Sequence, residues 1–372
     1  MTDRLKIGFD AKRIVRNGTG LGSYGRTLVN DLASYPLELR LYAPDQGRDH
    51  LRQQIRLQEN VRFCYPAPSH LPFSKALWRS KGIVSDLKRD GIQLFHGLSG
   101  ELPIGIHQSG VKSVVTIHDL IFLRHPEFYH WIDTKIYAWK FRKTIQEADH
   151  IIAISACTKR DIMEYGGVDE SKISLIYQSC APKFTSVSAL RQAQGPLSGG
   201  YILSVGSIEK RKNILLAVKA LPYLPEELKL VIVGRHTPYT DEVKAYAEKA
   251  GLSHRIKIMH GVSDEALPRL YAEAEAFVYP SRYEGFGIPI IEAISCGLPV
   301  VACKGSCLEE AGGPDSLYVD PDDAEAMAHA IRQVLRGAEG REKRIENSQQ
   351  YIKRFAGNDV AGQVVELYRR LL

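Results

Sequence analysis

Residues 281–303 read SRYEGFGIPIIEAISCGLPVVAC. Two glutamates, Glu284 and Glu292, stand eight positions apart in a stretch that otherwise has the composition of a core. A carboxylate is costly to bury without a partner, so the pair needs an explanation. The preceding AFVYP has the character of a strand, SRYEGFG that of a loop, and IPIIEAISCG that of a helix. Pro289 suits an early helical position and Gly297 the position just past the end. Glu284 is thereby placed on the loop at the strand's carboxyl end, and Glu292 about one turn into the helix. Gly285, Phe286 and Gly287 offer backbone N–H groups at a helix N-terminus, which suits an oxygen-rich or anionic ligand. Two carboxylates so placed can grip two polyols. A capping acid plus a solvated helix acid is the alternative, and the stretch alone leaves both open.

Outward from this stretch, short β-rich runs alternate with helix-length amphipathic segments. The first half gives LKIGFDA, LELRLYA, VRFCYP, IQLFHG, SVVTIHD, HIIAIS and ISLIY; the second gives YILSVGS, LKLVIVG, RIKIMHG, AEAFVYP, PVVAC and SLYVD. Such alternation predicts parallel sheets with helices on both faces. Between the halves, residues 181–200 (APKFTSVSALRQAQGPLSGG) have the composition of a linker. The expected organisation is a domain over 1–180, a linker over 181–200 and a second domain over 201–354. Ligands of such sheets bind at the carboxyl ends of the strands, and two units in series predict a cleft between them.

Further motifs fall at those ends. In VGSIEKRKN, residues 205–213, Arg211 and Lys212 follow a strand and open a helical pattern, which makes a diphosphate site or a solvated basic turn. In NGTGLGSYGRTL, residues 17–28, Gly20, Gly22 and Gly25 form a G-x-G-x-x-G, with Asp45 twenty residues beyond Gly25. The motif begins some eight residues after its strand, too late for a tight dinucleotide turn, and reads as a longer glycine loop approaching a phosphate or sugar, or as a flexible structural turn. His118 and Asp119 end the buried strand pattern of VVTIHDL, where the imidazole can meet a sugar hydroxyl or be satisfied by local backbone. Asp320–Asp323, DPDD, matches a metal-binding DxD pattern but precedes the helical run AEAMAHAIRQVL, so capping explains it.

Composition sets limits. The chain has 372 residues, 44% hydrophobic and 25% charged, a length that suits two domains. No apolar run is long enough to span a membrane, and MTDRLKIGFDA lacks a signal peptide's apolar core, so a cytoplasmic location is expected. The six cysteines form no CxxC pair and no zinc pattern. A net charge of +6 suits anionic small molecules or acidic lipid, and the scattered basic residues carry no nucleic-acid motif.

Together these pieces resemble the retaining glycosyltransferases of family four, through PSRYEGFGIPIIEAISCGLPVV with its E-x7-E, and through GTGLGSYGRTLV, VVTIHDL, IIAISACTKRDI, VGSIEKRKNI, GVSDEALPRLYAEAEAFVYPS and LYVDPDDAEAMAHAI in order. The resemblance implies the GT-B fold: two Rossmann-like α/β domains with parallel sheets facing a central cleft, the last helix, about 355–372, packing back on the first domain. It implies that Glu284 and the N–H groups of Gly285, Phe286 and Gly287 hold a donor sugar, and that Glu292 holds the ribose. Arg211 and Lys212 would neutralise the leaving diphosphate. His118 would sit near the sugar, the Gly20–Gly22 loop near the diphosphate, and Gly261 and Val262 near the base. No metal and no enzyme nucleophile are implied. One departure stands out: Gln178-Ser179 replaces the Asn-Gly common after KISLIY.

The donor expected from the resemblance is GDP-mannose, with UDP-sugars next, and the acceptor a surface polysaccharide or lipid-linked oligosaccharide. Residues 130–145 (HWIDTKIYAWKFRKTI) and 70–84 (HLPFSKALWRSKGIV) mix aromatic and basic side chains, which fits peripheral contact with anionic lipid at the inner face of the cell membrane, or an ordinary core stripe with a basic outer face. A nucleotide-sugar 2-epimerase, an NAD-dependent dehydrogenase using Asp45, and a non-catalytic sugar-binding protein are the competing functions.

Overall fold

The computed structural model describes residues 4–68, 73–184, 200–263, 265–355 and 359–372. Two compact units form, the first from residues 1–178 with 359–372, the second from 179–358. Most of the expected linker, residues 185–199, lies outside the described residues.

Unit 1 is built on seven strands: β1 (Leu5–Asp10), β2 (Leu37–Tyr42), β3 (Val61–Cys64), β4 (Leu94–Gly97), β5 (Lys112–Ile117), β6 (His150–Ala153) and β7 (Ile173–Leu175). All pairings are parallel, in the order β3-β2-β1-β4-β5-β6-β7. Strands such as β4 and β5 are buried on both faces, which explains why they read as apolar runs rather than alternating ones. The helix Val360–Leu371 belongs here. Ala361, Val364, Val365, Leu367 and Tyr368 enter the same core as Ile7, Phe9, Leu28 and Leu32. Its start is fixed by Asp359, whose carboxylate accepts from the Gly362 N–H.

Unit 2 carries β8 (Tyr201–Val205), β9 (Lys229–Val233), β10 (Ile256–Met259), β11 (Ala276–Tyr279), β12 (Val300–Cys303) and β13 (Leu317–Val319). They pair in parallel in the order β10-β9-β8-β11-β12-β13. Each unit therefore runs outward from its first strand in one direction and then restarts on that strand's other side. The crevice at the carboxyl ends, between β1 and β4 or between β8 and β11, is the switch point where open α/β sheets bind ligands.

Every strand expected from the sequence is present. Two helical features around the glycine motif were not expected. A short helix, Lys12–Arg16, follows β1 directly, and the helix Gly20–Leu32 begins at the first glycine of G-x-G-x-x-G. Gly20 and Gly22 are therefore not part of a long loop; the turn is confined to residues 17–19. Gly22 is there for close packing, because a Cβ on it would lie 1.8 Å from the Asn17 carbonyl oxygen. The helix Arg341–Ile352, too polar to stand out in the sequence, was also missed. The DPDD segment caps as expected: Asp323 accepts from the Ala326 N–H at the start of Ala324–Arg332.

Candidate active site

The site in unit 2 assembles at its switch point. After β8 the chain turns through Lys210–Lys212 as a single 3-10 turn, and after β11 it runs through Pro280 to the loop 281–287. The two segments are tied by backbone: the Arg282 N–H donates to the Arg211 carbonyl at 2.9 Å. This brings together Lys212 and Glu284, 72 positions apart.

Glu284 is 8% exposed. Its Oε1 receives Lys212 Nζ at 2.5 Å and Arg211 Nη1 at 2.9 Å, and also hydroxyls from Ser281 and Tyr279. Lys212 Nζ donates at 2.7 Å to Tyr279 OH as well. All four of these contacts fall on the same carboxylate oxygen. Burial pushes the Glu284 carboxyl up, but Lys212 and Arg211 override it and hold it down at about 2. Burial pushes Lys212 down against the pull of Glu284. Two cations thus share one buried carboxylate, and at the rim Glu209 lies 4.0 Å from Arg211 and 3.7 Å from Arg235.

Gly287 stands at φ 104° and turns the loop into the helix Ile288–Ser295. A Cβ there would meet Ala311 and Leu308 at 3.2 Å, so both conformation and space require glycine. Phe286 is buried against Phe355, with ring centroids 5.3 Å apart, which anchors the loop. The helix ends where expected: Gly297 N–H donates to Ile294 O and Leu298 N–H to Ala293 O. Glu292 lies on this helix and accepts from Tyr271 OH at 3.0 Å. Gly261, at φ 64°, and Val262 follow β10, at the carboxyl edge of the same sheet. Sequence reasoning missed Tyr279, Ser281 and Tyr271. Their signal was available in two cases, since both hydroxyls on Glu284 lie within five positions of it.

The remaining expected residues lie in unit 1. His118 follows β5, and both ring nitrogens are engaged. Nε2 donates to the Leu98 carbonyl at 2.9 Å, and Gln178 Nε2 donates to Nδ1 at 3.2 Å. This pattern fixes the neutral Nε2–H tautomer. Burial pushes the His118 pKa down to about 4, against the opposing Leu98 bond. Gln178, the departure noted above, is thus a direct partner of His118. Tyr24 from the glycine-led helix packs edge-on against the same ring at 4.8 Å. Asp45, the ribose acid required by a dehydrogenase, is paired instead with Arg16 and Lys75.

With this geometry established, comparison with known proteins places the chain. The model for Glycosyltransferase Family 4 matches residues 18–180, and the model for Glycosyl transferases group 1 matches residues 189–351. The chain is a glycosyltransferase with a family-four domain followed by a group 1 domain. An O-antigen chain mannosyltransferase B of Escherichia coli is 29% identical over 400 residues, covering 99% of this chain and 100% of the relative. The O-antigen chain mannosyltransferase RfbU of Salmonella typhimurium is 29% identical over 60% of this chain, which spans 61% of that relative. Among solved structures, a sucrose-phosphate synthase from Thermosynechococcus elongatus matches with a TM-score of 0.78 at 21% identity, over 99% of both chains. The fold of this glycosyltransferase is accordingly GT-B.

Proposed function

We propose that this glycosyltransferase moves a hexose, with retention, from a nucleoside diphosphate sugar to a glycan or lipid-linked acceptor in surface polysaccharide assembly. GDP-mannose is the first donor expected and a UDP-sugar the second; the mannosyltransferase relatives support that order. The observation that carries the reading is the placing of two cations, Arg211 and Lys212, on the single buried carboxylate of Glu284 at the switch point. A departing diphosphate gains negative charge in the transition state, and cations already fixed by a carboxylate need little reorganisation to receive it. In this reading Glu284 accepts sugar hydroxyls through Oε2, assisted by the N–H groups of Gly285, Phe286 and Gly287. Glu292 takes the ribose hydroxyls, and Gly261 and Val262 face the base. The two fixed cations supply the charge that a resident metal otherwise brings, so transfer is expected to survive chelation by EDTA. His118, held neutral, contributes a polar group rather than a charge.

A panel of GDP, UDP, ADP, NAD and NADP in thermal unfolding tests the class. A ligand at a hundred times its dissociation constant stabilises by about 2.7 kcal/mol. A shift with GDP or UDP alone supports the reading and names the base; a shift with NAD or NADP alone removes it. A 2-epimerase is separated by turnover of the donor without acceptor.

We also propose peripheral attachment to an anionic membrane at the inner face of the cell membrane. Among the described residues no helix is long and apolar enough to cross a bilayer. In the helix Trp131–Glu147, however, only Phe141 and Thr144 are buried, while Trp131 is 62% and Trp139 51% exposed. Of the helix's aromatic side chains, Phe141 enters the core, while the two tryptophans stand mostly outside it. Residues 70–72 of the second basic-aromatic segment lie outside the described residues; its Leu77 is 67% exposed. Sedimentation with anionic liposomes at low salt, compared with neutral ones, is the check, and equal recovery in the supernatant would count against attachment.

A further inference from the structure

Glu292 stands on the helix Ile288–Ser295 and is half-buried. A glutamate on a helix surface ordinarily samples many rotamers, and that freedom is lost when a ligand fixes it. This one is already held. Tyr271, with no exposed surface, donates its hydroxyl to Glu292 Oε2 at 3.0 Å.

Other tyrosines of unit 2 place their hydroxyls on backbone. Tyr201 donates to the Leu270 carbonyl at 2.7 Å, Tyr318 to the Gly313 carbonyl at 2.8 Å and Tyr351 to the Glu310 carbonyl at 2.9 Å. A carbonyl of that kind is enough to satisfy a buried phenol. Tyr271 instead directs its donor to a carboxylate 21 positions away. Burial, and then the Glu292 charge, push its pKa well above the ordinary value, so the phenol stays a donor. A carboxylate has about four acceptor sites, and one phenol does not exhaust them.

The ring is fixed along with the hydroxyl. Phe184 meets it edge-on, with centroids 5.6 Å apart, and Phe277 packs on it at 5.4 Å. Phe277 stacks in turn on Tyr279 at 5.7 Å, and Tyr279 donates to Glu284. One buried aromatic row, Phe184–Tyr271–Phe277–Tyr279, thus carries a hydroxyl for each glutamate of the E-x7-E pair.

We infer that Tyr271 is a positioning residue for the ribose subsite: it fixes the Glu292 carboxylate so that the chain selects ribonucleoside over deoxyribonucleoside diphosphates. The inference rests on the transferase reading above, which gives Glu292 to the ribose, and adds the residue that sets its selectivity. A carboxylate held in one rotamer loses little freedom when the sugar arrives, and a site built to hydrogen-bond a hydroxyl rejects the analogue that lacks it.

Calorimetry on the full chain tests it, with GDP, 2′-deoxy-GDP and 3′-deoxy-GDP as probes, or the uridine set where UDP is the nucleotide that stabilises the chain. The parent should bind the ribonucleotide about tenfold more tightly than at least one deoxy form. Tyr271→Phe should weaken the ribonucleotide about tenfold and leave that deoxy form unchanged, so that the preference disappears. In a Glu292→Gln background, Tyr271→Phe should have no further effect, because the two act through one contact. Phe184→Leu, which loosens the ring and keeps the hydroxyl, is the second variant and should lower the preference severalfold. Equal weakening of all three nucleotides by Tyr271→Phe, with the preference intact, would mean a structural role alone and overturns the inference. Additive losses in the double variant overturn it as well, and an unchanged preference in Phe184→Leu removes the aromatic row from it. A parent that binds nucleotides without preferring the ribose form overturns this inference and the role of Glu292, whereas a parent that binds no nucleotide overturns the transferase reading itself.

Discussion

Replacing Glu284 by glutamine keeps its shape and removes the charge that Lys212 and Arg211 share. The carboxyl is held at about 2 against a reference of 4.5. At 1.36 kcal/mol per pKa unit, its ionised form stabilises the fold by about 3 kcal/mol at neutral pH. Because the folded-state pKa is depressed, this contribution is complete above about pH 4.5 and is lost as pH falls toward 2. The glutamine oxygen still accepts hydrogen bonds, so Glu284→Gln should cost about 2–3 kcal/mol at pH 7.5 and only about 1 kcal/mol at pH 3. All three tryptophans, at 78, 131 and 139, lie in unit 1, so their fluorescence does not follow this unit. Hydrogen exchange of peptides from β8 and β11 across a urea series does. Equal stability of the two proteins at pH 7.5, or a difference that does not shrink at pH 3, would refute the argument that two cations outweigh the burial of this carboxylate.

Lys212→Met should weaken binding of the stabilising nucleoside diphosphate at least tenfold and slow transfer by a larger factor, measured by calorimetry and initial rates; a parental rate would remove Lys212 from the leaving-group site. Gly22→Ala should lower the melting temperature by several degrees because its Cβ overlaps the Asn17 carbonyl, while Gly20→Ala, with nothing within 4 Å, should be neutral or slightly stabilising. Equal effects at the two positions would contradict the close-packing account. Gln178→Ala removes a donor aimed at Nδ1, so the His118 pKa should rise from about 4, read by NMR titration; an unmoved titration would mean that burial alone sets it.

The strands were legible because parallel sheets covered on both faces leave unbroken apolar runs such as VVTI and AFVY. The turn into Ile288–Ser295 was legible because Pro289 and Gly297 punctuate it. The start of the helix at Gly20 was hidden by the glycines themselves, which read as loop until Gly22 is seen against Asn17. In the site, Glu284, Arg211 and Lys212 could be named but not joined, since nothing local relates residues 72 positions apart; the strand order does. The role of Gln178 was hidden for the same reason, its partner His118 being 60 positions away.

The polar centre of unit 1 has one more consequence. His96 is fully buried, its Nδ1 paired with Tyr368 OH at 2.6 Å and its Nε2 with Thr116 at 2.8 Å. Residues 179–358 intervene in the chain between the body of unit 1 and Tyr368. During synthesis, the second unit is therefore completed while His96 still lacks one of its two partners and the first unit's core lacks the side chains of Val360–Leu371. Unit 1 begins first and finishes last. A ribosome that stalls before residue 360 leaves a nascent chain whose second unit is whole and whose first unit carries an open apolar groove, the kind of surface that chaperones and proteases recognise.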